Sequence, residues 1–68
     1  MKTIEESIAA LEKWKQSNID NNHAWWGVTQ IGSGEFEGVW MEDWGKGHRF
    51  VVKTFAEALH KLCEELGL

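Results

Sequence analysis

Ile4, Ile8, Leu11 and Trp14 recur at spacings of four, three and three residues, with Glu5, Glu12, Lys13 and Lys15 falling between them. That is one apolar stripe on an α-helix, and it predicts a helix over residues 4–17. Thr3 and Glu6 stand before it as T-x-x-E, the capping box that satisfies free N–H groups at a helix start. Asn18 to Asn22 break the pattern, and the period then changes from helical to alternating. Three alternating stretches follow, at about 24–31, 35–42 and 48–53, with Gly32-Ser33-Gly34 and Asp43 to Gly47 as turns between them. A helical period returns after Lys53. Thr54 and Glu57 repeat the capping box, Phe55, Leu59, Leu62 and Leu66 carry the apolar face with Ala58 and Cys63 beside it, and Gly67 is placed to end the helix. The expectation is one α+β domain over 1–68: an α-β-β-β-α two-layer sandwich, with a three-stranded antiparallel meander and both helices on one face.

Turn lengths assign a register. A three-residue loop at 32–34 pairs Ile31 with Glu35 and runs on through Thr29 with Glu37 and Trp26 with Trp40 to Trp25 with Met41. A five-residue turn at 43–47 pairs Glu42 with His48, Trp40 with Phe50, Val39 with Val51 and Glu37 with Lys53. Because side chains alternate across a strand, one face collects Trp26, Val28, Phe36, Trp40, Phe50 and Val52, and is expected to be the core. The other collects Trp25, Thr29, Ile31, Glu35, Glu37, Val39, Met41, Arg49, Val51 and Lys53, with Glu37 set against Lys53 as a favourable cross-strand charge pair.

Composition narrows the function classes. Seven basic and eleven acidic residues leave a formal charge of −4. That disfavours direct nucleic-acid and anionic-membrane binding, which need a basic face, and favours a partner with a basic surface. From Asn18 to Gly45 there are five acids (Asp20, Glu35, Glu37, Glu42, Asp43) and no Lys or Arg, interleaved with Trp25, Trp26, Phe36, Trp40 and Trp44. A chain of 68 residues has room for one core, and a deep active site is hard to fit. The single cysteine, Cys63, allows no intrachain disulfide. No run approaches a membrane span, and acids follow Met1 at once without an apolar stretch, so no signal peptide is expected and the reading is cytoplasmic.

Residues that could carry chemistry do not assemble into a site. His60-x-x-Cys63 offers two ligand types one turn apart, with His23 and His48 near strand ends, but a structural zinc site wants four ligands. A thiol near a helix C-terminus is disfavoured as a thiolate, which argues against a Cys63–His60 nucleophile. The paired carboxylates Glu35 and Glu37 lie on a flat strand face without a cleft. Gly32-Ser33-Gly34 and Gly45-Lys46-Gly47 open no helix and so make no phosphate loop. The expectation is therefore no catalytic residue, no metal and no cofactor. The alternative class is a small metal-dependent or hydrolytic enzyme built on His60, Cys63 and a carboxylate. What remains is a binding face: Trp25, Val39, Met41 and Val51 as its apolar part, with Glu35, Glu37, Arg49 and Lys53 as a polar rim. A protein partner or a second copy of the chain, as in a homodimeric adaptor, would meet it there. The acidic turn at Glu42, Asp43 and Trp44 is the second candidate.

The element order resembles the double-stranded-RNA-binding domain, but that family's Lys-Lys-x-Ala-Lys cluster is replaced here by Thr54-Phe55-Ala56-Glu57-Ala58, so the likeness extends to topology alone. The short N-terminal helix, the Trp-rich strands and the junction Val51-Val52-Lys53-Thr54-Phe55-Ala56-Glu57-Ala58-Leu59 resemble small phage and prophage proteins of the helix–sheet–helix sandwich type. That resemblance implies a phage or mobile-element accessory protein that works by occluding a host macromolecular complex, inhibitors of CRISPR complexes among them.

Overall fold

A computed structural model of the chain describes residues 2–17, 24–41 and 47–68. The elements are α1 (Ile4–Ser17), β1 (Trp25–Gln30), β2 (Phe36–Met41), β3 (Gly47–Val52) and α2 (Phe55–Glu65). The strands form one antiparallel sheet in the order β1-β2-β3. Both helices pack on the same side of it. α2 touches all three strands, and α1 lies beside it against α2 and β1. The expected breaker at 18–22 and the turn residues 43–46 lie outside the described residues.

Local chemistry accounts for the helix ends. Thr3 Oγ1 accepts from the Glu6 N–H at 3.1 Å, while Glu6 Oε1 accepts from the Thr3 N–H at 3.0 Å, a reciprocal capping box. At α2, Thr54 is extended (φ −133, ψ 157) and its hydroxyl accepts from the Glu57 N–H at 3.1 Å. The far end closes through Gly67 at φ 71. The Leu68 N–H donates to the Cys63 carbonyl at 2.8 Å and the Gly67 N–H to that of Glu64 at 3.2 Å. These are the two bonds of a Schellman motif, whose left-handed position favours glycine.

The core joins Leu11, Trp40, Leu59, Leu62 and Cys63, with Ile8, Ala10, Trp26, Val28, Phe50 and Leu66 packed against it. The apolar faces differ in detail from the sequence pattern. Ile4 is exposed and Ser7 is buried in its place, because the small Ser7 is where α1 meets α2. Cys63 Sγ lies 3.7 Å from the Ser7 carbonyl, as a weak donor. On α2, Ala58 and Cys63 are buried among Leu59 and Leu62, while Phe55, expected in the apolar face, is 38% exposed and meets Phe36 edge-on with ring centroids 6.0 Å apart.

The first hairpin has the expected register throughout, from Trp25 opposite Met41 to Gln30 opposite Phe36. Its loop closes with the Gly34 N–H on the Ile31 carbonyl and the Ile31 N–H on the Glu35 carbonyl, both 2.9 Å, with Gly34 at φ 88. This is the three-residue loop with a left-handed glycine. The second hairpin differs. Met41 faces Gly47, Trp40 faces His48, Val39 faces Arg49, Gly38 faces Phe50, Glu37 faces Val51 and Phe36 faces Val52. Each β2 residue thus meets a β3 residue two earlier than turn length alone suggested. The expected Glu37–Lys53 charge pair is therefore not made across the strands, and Lys53 follows the end of β3. The reason is side-chain volume. The expected register set Trp40 directly against Phe50, two large rings on the core face. The observed one lays the Phe50 ring over Gly38, where a Cβ would stand 2.4 Å from Phe50 Cζ, and stacks Trp40 on His48 with centroids 4.6 Å apart and planes at 16°. A displacement of two residues leaves each side chain on its original face, so the division of the sheet into a core face and an open face is unchanged.

Candidate functional site

The open face is built from the strand positions that point away from both helices. Its first row is Trp25, Met41 and Gly47, its second Gly27, Val39 and Arg49, and its third Thr29, Glu37 and Val51. Trp25 is 41% exposed and Val51 50% exposed, while Val39 and Met41 are half-buried. The two glycines shape this surface. A Cβ at Gly27 would lie 3.6 Å from Val39 Cγ2 and 3.9 Å from Trp25 Cζ3, so the indole and the valine border the floor that the missing side chain leaves. A Cβ at Gly47 would meet Met41 Cε at 3.7 Å, so the methionine reaches across the row toward β3. Trp25, Val39, Gly47 and Arg49, with Trp40 and His48 at the strand end, line a shallow groove of about 330 Å³.

The structure thus brings Trp25, Met41 and Val39 together as an apolar cluster. Val51, expected opposite Val39, sits one row further along and diagonal to it, with Arg49 in the place that Val51 was to fill. Arg49 therefore interrupts the patch instead of rimming it. Glu37 lies on the same face beside Val51, and Glu35 stands at the loop, where its Oε1 accepts from Ser33 Oγ at 3.0 Å. Lys53 is exposed beyond β3. The candidates Glu42, Asp43 and Trp44 lie outside the described residues.

The candidate metal and nucleophile positions are far apart in environment. His60 is exposed on α2, with Nε2 3.8 Å from Glu64 Oε2. Cys63 is buried and faces α1. His48 covers one face of Trp40, and His23 is outside the described residues. Among the described residues, no group of three or more His, Cys, Asp and Glu side chains could hold a metal ion. No helix among them is long and apolar enough to cross a membrane. Sequence reasoning missed the Trp40–His48 stack. The available signal was Gly38, since a glycine inside a strand commonly accommodates a large ring from its neighbour, and that alone would have moved the second register.

Compared with known proteins, the chain matches no family model, no curated protein and no solved structure. Its functional reading therefore rests on the geometry of this face. The Glu6 carboxyl is held below the usual glutamate value, first by the Thr3 backbone N–H and then by the Thr3 hydroxyl. That is a helix cap away from the open face, and it belongs to folding.

Proposed function

We propose that this chain is a non-enzymatic binding domain that docks a protein partner on its open sheet face. The observation that carries the reading is the exposure of Trp25 at 41% on a sheet whose two helices both lie on the opposite side. A sheet covered on one side ordinarily shows water a polar face. Here Trp25, Met41 and Val39 form a contiguous apolar cluster instead, and such clusters mark interaction sites. Tryptophan and arginine are the side chains that most often anchor interfaces, and Trp25 and Arg49 border one groove. Glu37 and Arg49 within the face favour a contact that forms and releases over a permanent one. The net charge of −4 favours a partner with a basic surface. The likeness to small phage sandwich proteins extends the reading to an accessory protein that occludes a host complex, a CRISPR effector being one such target.

The test is capture from a bacterial lysate with identification of retained proteins by mass spectrometry, run with the wild type and with Met41→Glu and Val51→Lys. Both variants should keep the wild-type circular dichroism spectrum, because neither side chain enters the core, and both should lose the retained partner. A partner kept at wild-type level by both variants would remove the open face from consideration. Stoichiometric zinc in the purified protein would favour the enzyme class instead.

A further inference from the structure

The sheet has two edges, and they differ. α1 packs against β1, so that edge lies on the side flanked by a helix. β3 is the opposite edge, and among the described residues α1 does not reach it. The backbone groups that β3 turns outward follow from the ladder. Ile31 bonds to Glu35 across the first loop. Hydrogen-bonded and non-bonded pairs alternate in an antiparallel ladder, so Thr29, Gly27 and Trp25 bond to Glu37, Val39 and Met41. The alternate residues of β2, Phe36, Gly38 and Trp40, are left to bond Val52, Phe50 and His48. The N–H and C=O groups of Arg49 and Val51 then point out of the sheet. By the same alternation they take no part in the β2–β3 ladder.

The charge along this edge is opposite to that of the molecule. The chain has no Asp or Glu from Lys46 to Ala56, and it has Lys46, Arg49 and Lys53 there. The preceding stretch, Asn18 to Gly45, has five acids and no cation. Arg49 and Lys53 are exposed, and Val51 between them is 50% exposed on the open face. We propose that the free edge of β3 receives an extended acidic peptide segment as a fourth strand, with carboxylates opposite Arg49 and near Lys53 and an apolar side chain opposite Val51. Main-chain bonds to Arg49 and Val51 supply the attachment, and the alternate side chains supply the selection, as in other strand additions. A second copy of the chain is disfavoured at this edge, since symmetric antiparallel β3–β3 pairing about Val51 sets Arg49 of each copy opposite Lys53 of the other, and like charges facing across strands destabilise pairing. The inference shares the Arg49 and Val51 side chains with the docking face proposed above, and differs from it in the main-chain attachment at the edge, which Val51→Pro removes.

The probe is a synthetic capped heptapeptide, Thr-Glu-Thr-Val-Thr-Glu-Thr, titrated into ¹⁵N-labelled protein. Its counterparts carry Lys in place of both Glu, or Pro in place of Val. The acidic peptide should shift the Arg49 and Val51 amides saturably and slow their hydrogen exchange, and added salt should weaken it. The lysine and proline peptides should do neither. Arg49→Glu, a change at an exposed side chain, should weaken the acidic peptide about tenfold and admit the lysine peptide. Val51→Pro removes one outward N–H at a position where an edge strand tolerates proline, and should abolish binding of both. Equal binding of acidic and basic peptides, or none at millimolar concentration, would overturn the proposal and leave the cations of β3 as a guard against edge pairing. The same amide changes on raising protein concentration alone would overturn it in favour of a second copy.

Discussion

Two glycines in neighbouring strands show how much a single side-chain position decides. Gly38 is buried on the core face and carries the Phe50 ring where its Cβ would be, 2.4 Å from Phe50 Cζ. That ring is held in turn by Trp40 on one side, with centroids 6.2 Å apart, and by Lys61, whose Nζ lies 5.5 Å from its centroid. Gly27 is on the open face, and a Cβ there would meet its neighbours only at ordinary contact distance. The same substitution should therefore have opposite signs at the two sites. Gly38→Ala should destabilise the domain by about 1–3 kcal/mol, the usual cost of forcing extra volume into a packed core. Gly27→Ala should be neutral or stabilising by up to about 1 kcal/mol, through reduced freedom of the unfolded chain. Urea unfolding of the pair reads the difference directly. If Gly38→Ala were as stable as the wild type, Phe50 would have to sit elsewhere, and the second hairpin register would be in question.

At the scale of the elements, the two helices start by the same device and are placed by different means. α1 has both halves of its capping box, and its acid, Glu6, is held below the usual glutamate value. Because the folded value of Glu6 is lowered, the unfolded state binds its proton first as pH falls. The contribution of this cap is complete above the ordinary glutamate range and is lost as pH falls through the lowered folded value. A ¹³C carboxyl titration should show Glu6 with the lower midpoint expected from these bonds, and Thr3→Ala, which removes the hydroxyl and keeps the backbone N–H, should raise it only part of the way to the usual value. A Glu6 midpoint at the usual value in the wild type would mean that the box is open in solution. Along the strands, the hairpin closed by Gly32-Ser33-Gly34 was readable because a short loop leaves few alternatives. The longer connection at 42–46 leaves more than one register open, and the choice between them passes to the side chains.

The whole molecule is thin, a single sheet under a single layer of helices. Leu11, Leu59 and Leu62 are the largest fully buried side chains among the described residues. A domain of this length has a total stability of roughly 3–10 kcal/mol, and a buried Leu→Ala change costs about 2–5 kcal/mol. Leu59→Ala should therefore take away a large share of it and lower the thermal midpoint by 10 °C or more, on the order of several degrees per kcal/mol for a chain this small. A midpoint within a degree or two of the wild type would mean that α2 does not seat Leu59 in the core. Charge is also a property of this scale. The −4 total describes solubility and long-range attraction, and it conceals that Arg49 on β3 and Lys53 just beyond it stand in a stretch without acids.

The residues by themselves determined the element order, both helix starts, the glycine that ends α2, the first hairpin and the division of the sheet into two faces. Each of these depends on interactions within a few positions along the chain, or on a periodicity that survives any even displacement of one strand against another. Tertiary packing alone decided the rest. Ser7 replaces Ile4 in the core because α1 must come close to α2 at Cys63. Phe50 pairs with Gly38 because its ring needs the space that a side chain would fill. Arg49, not Val51, stands beside Val39 on the open face as a result. These are matters of volume and distance between segments remote in sequence, and the sequence carries one trace of them, the glycine at position 38 inside a strand.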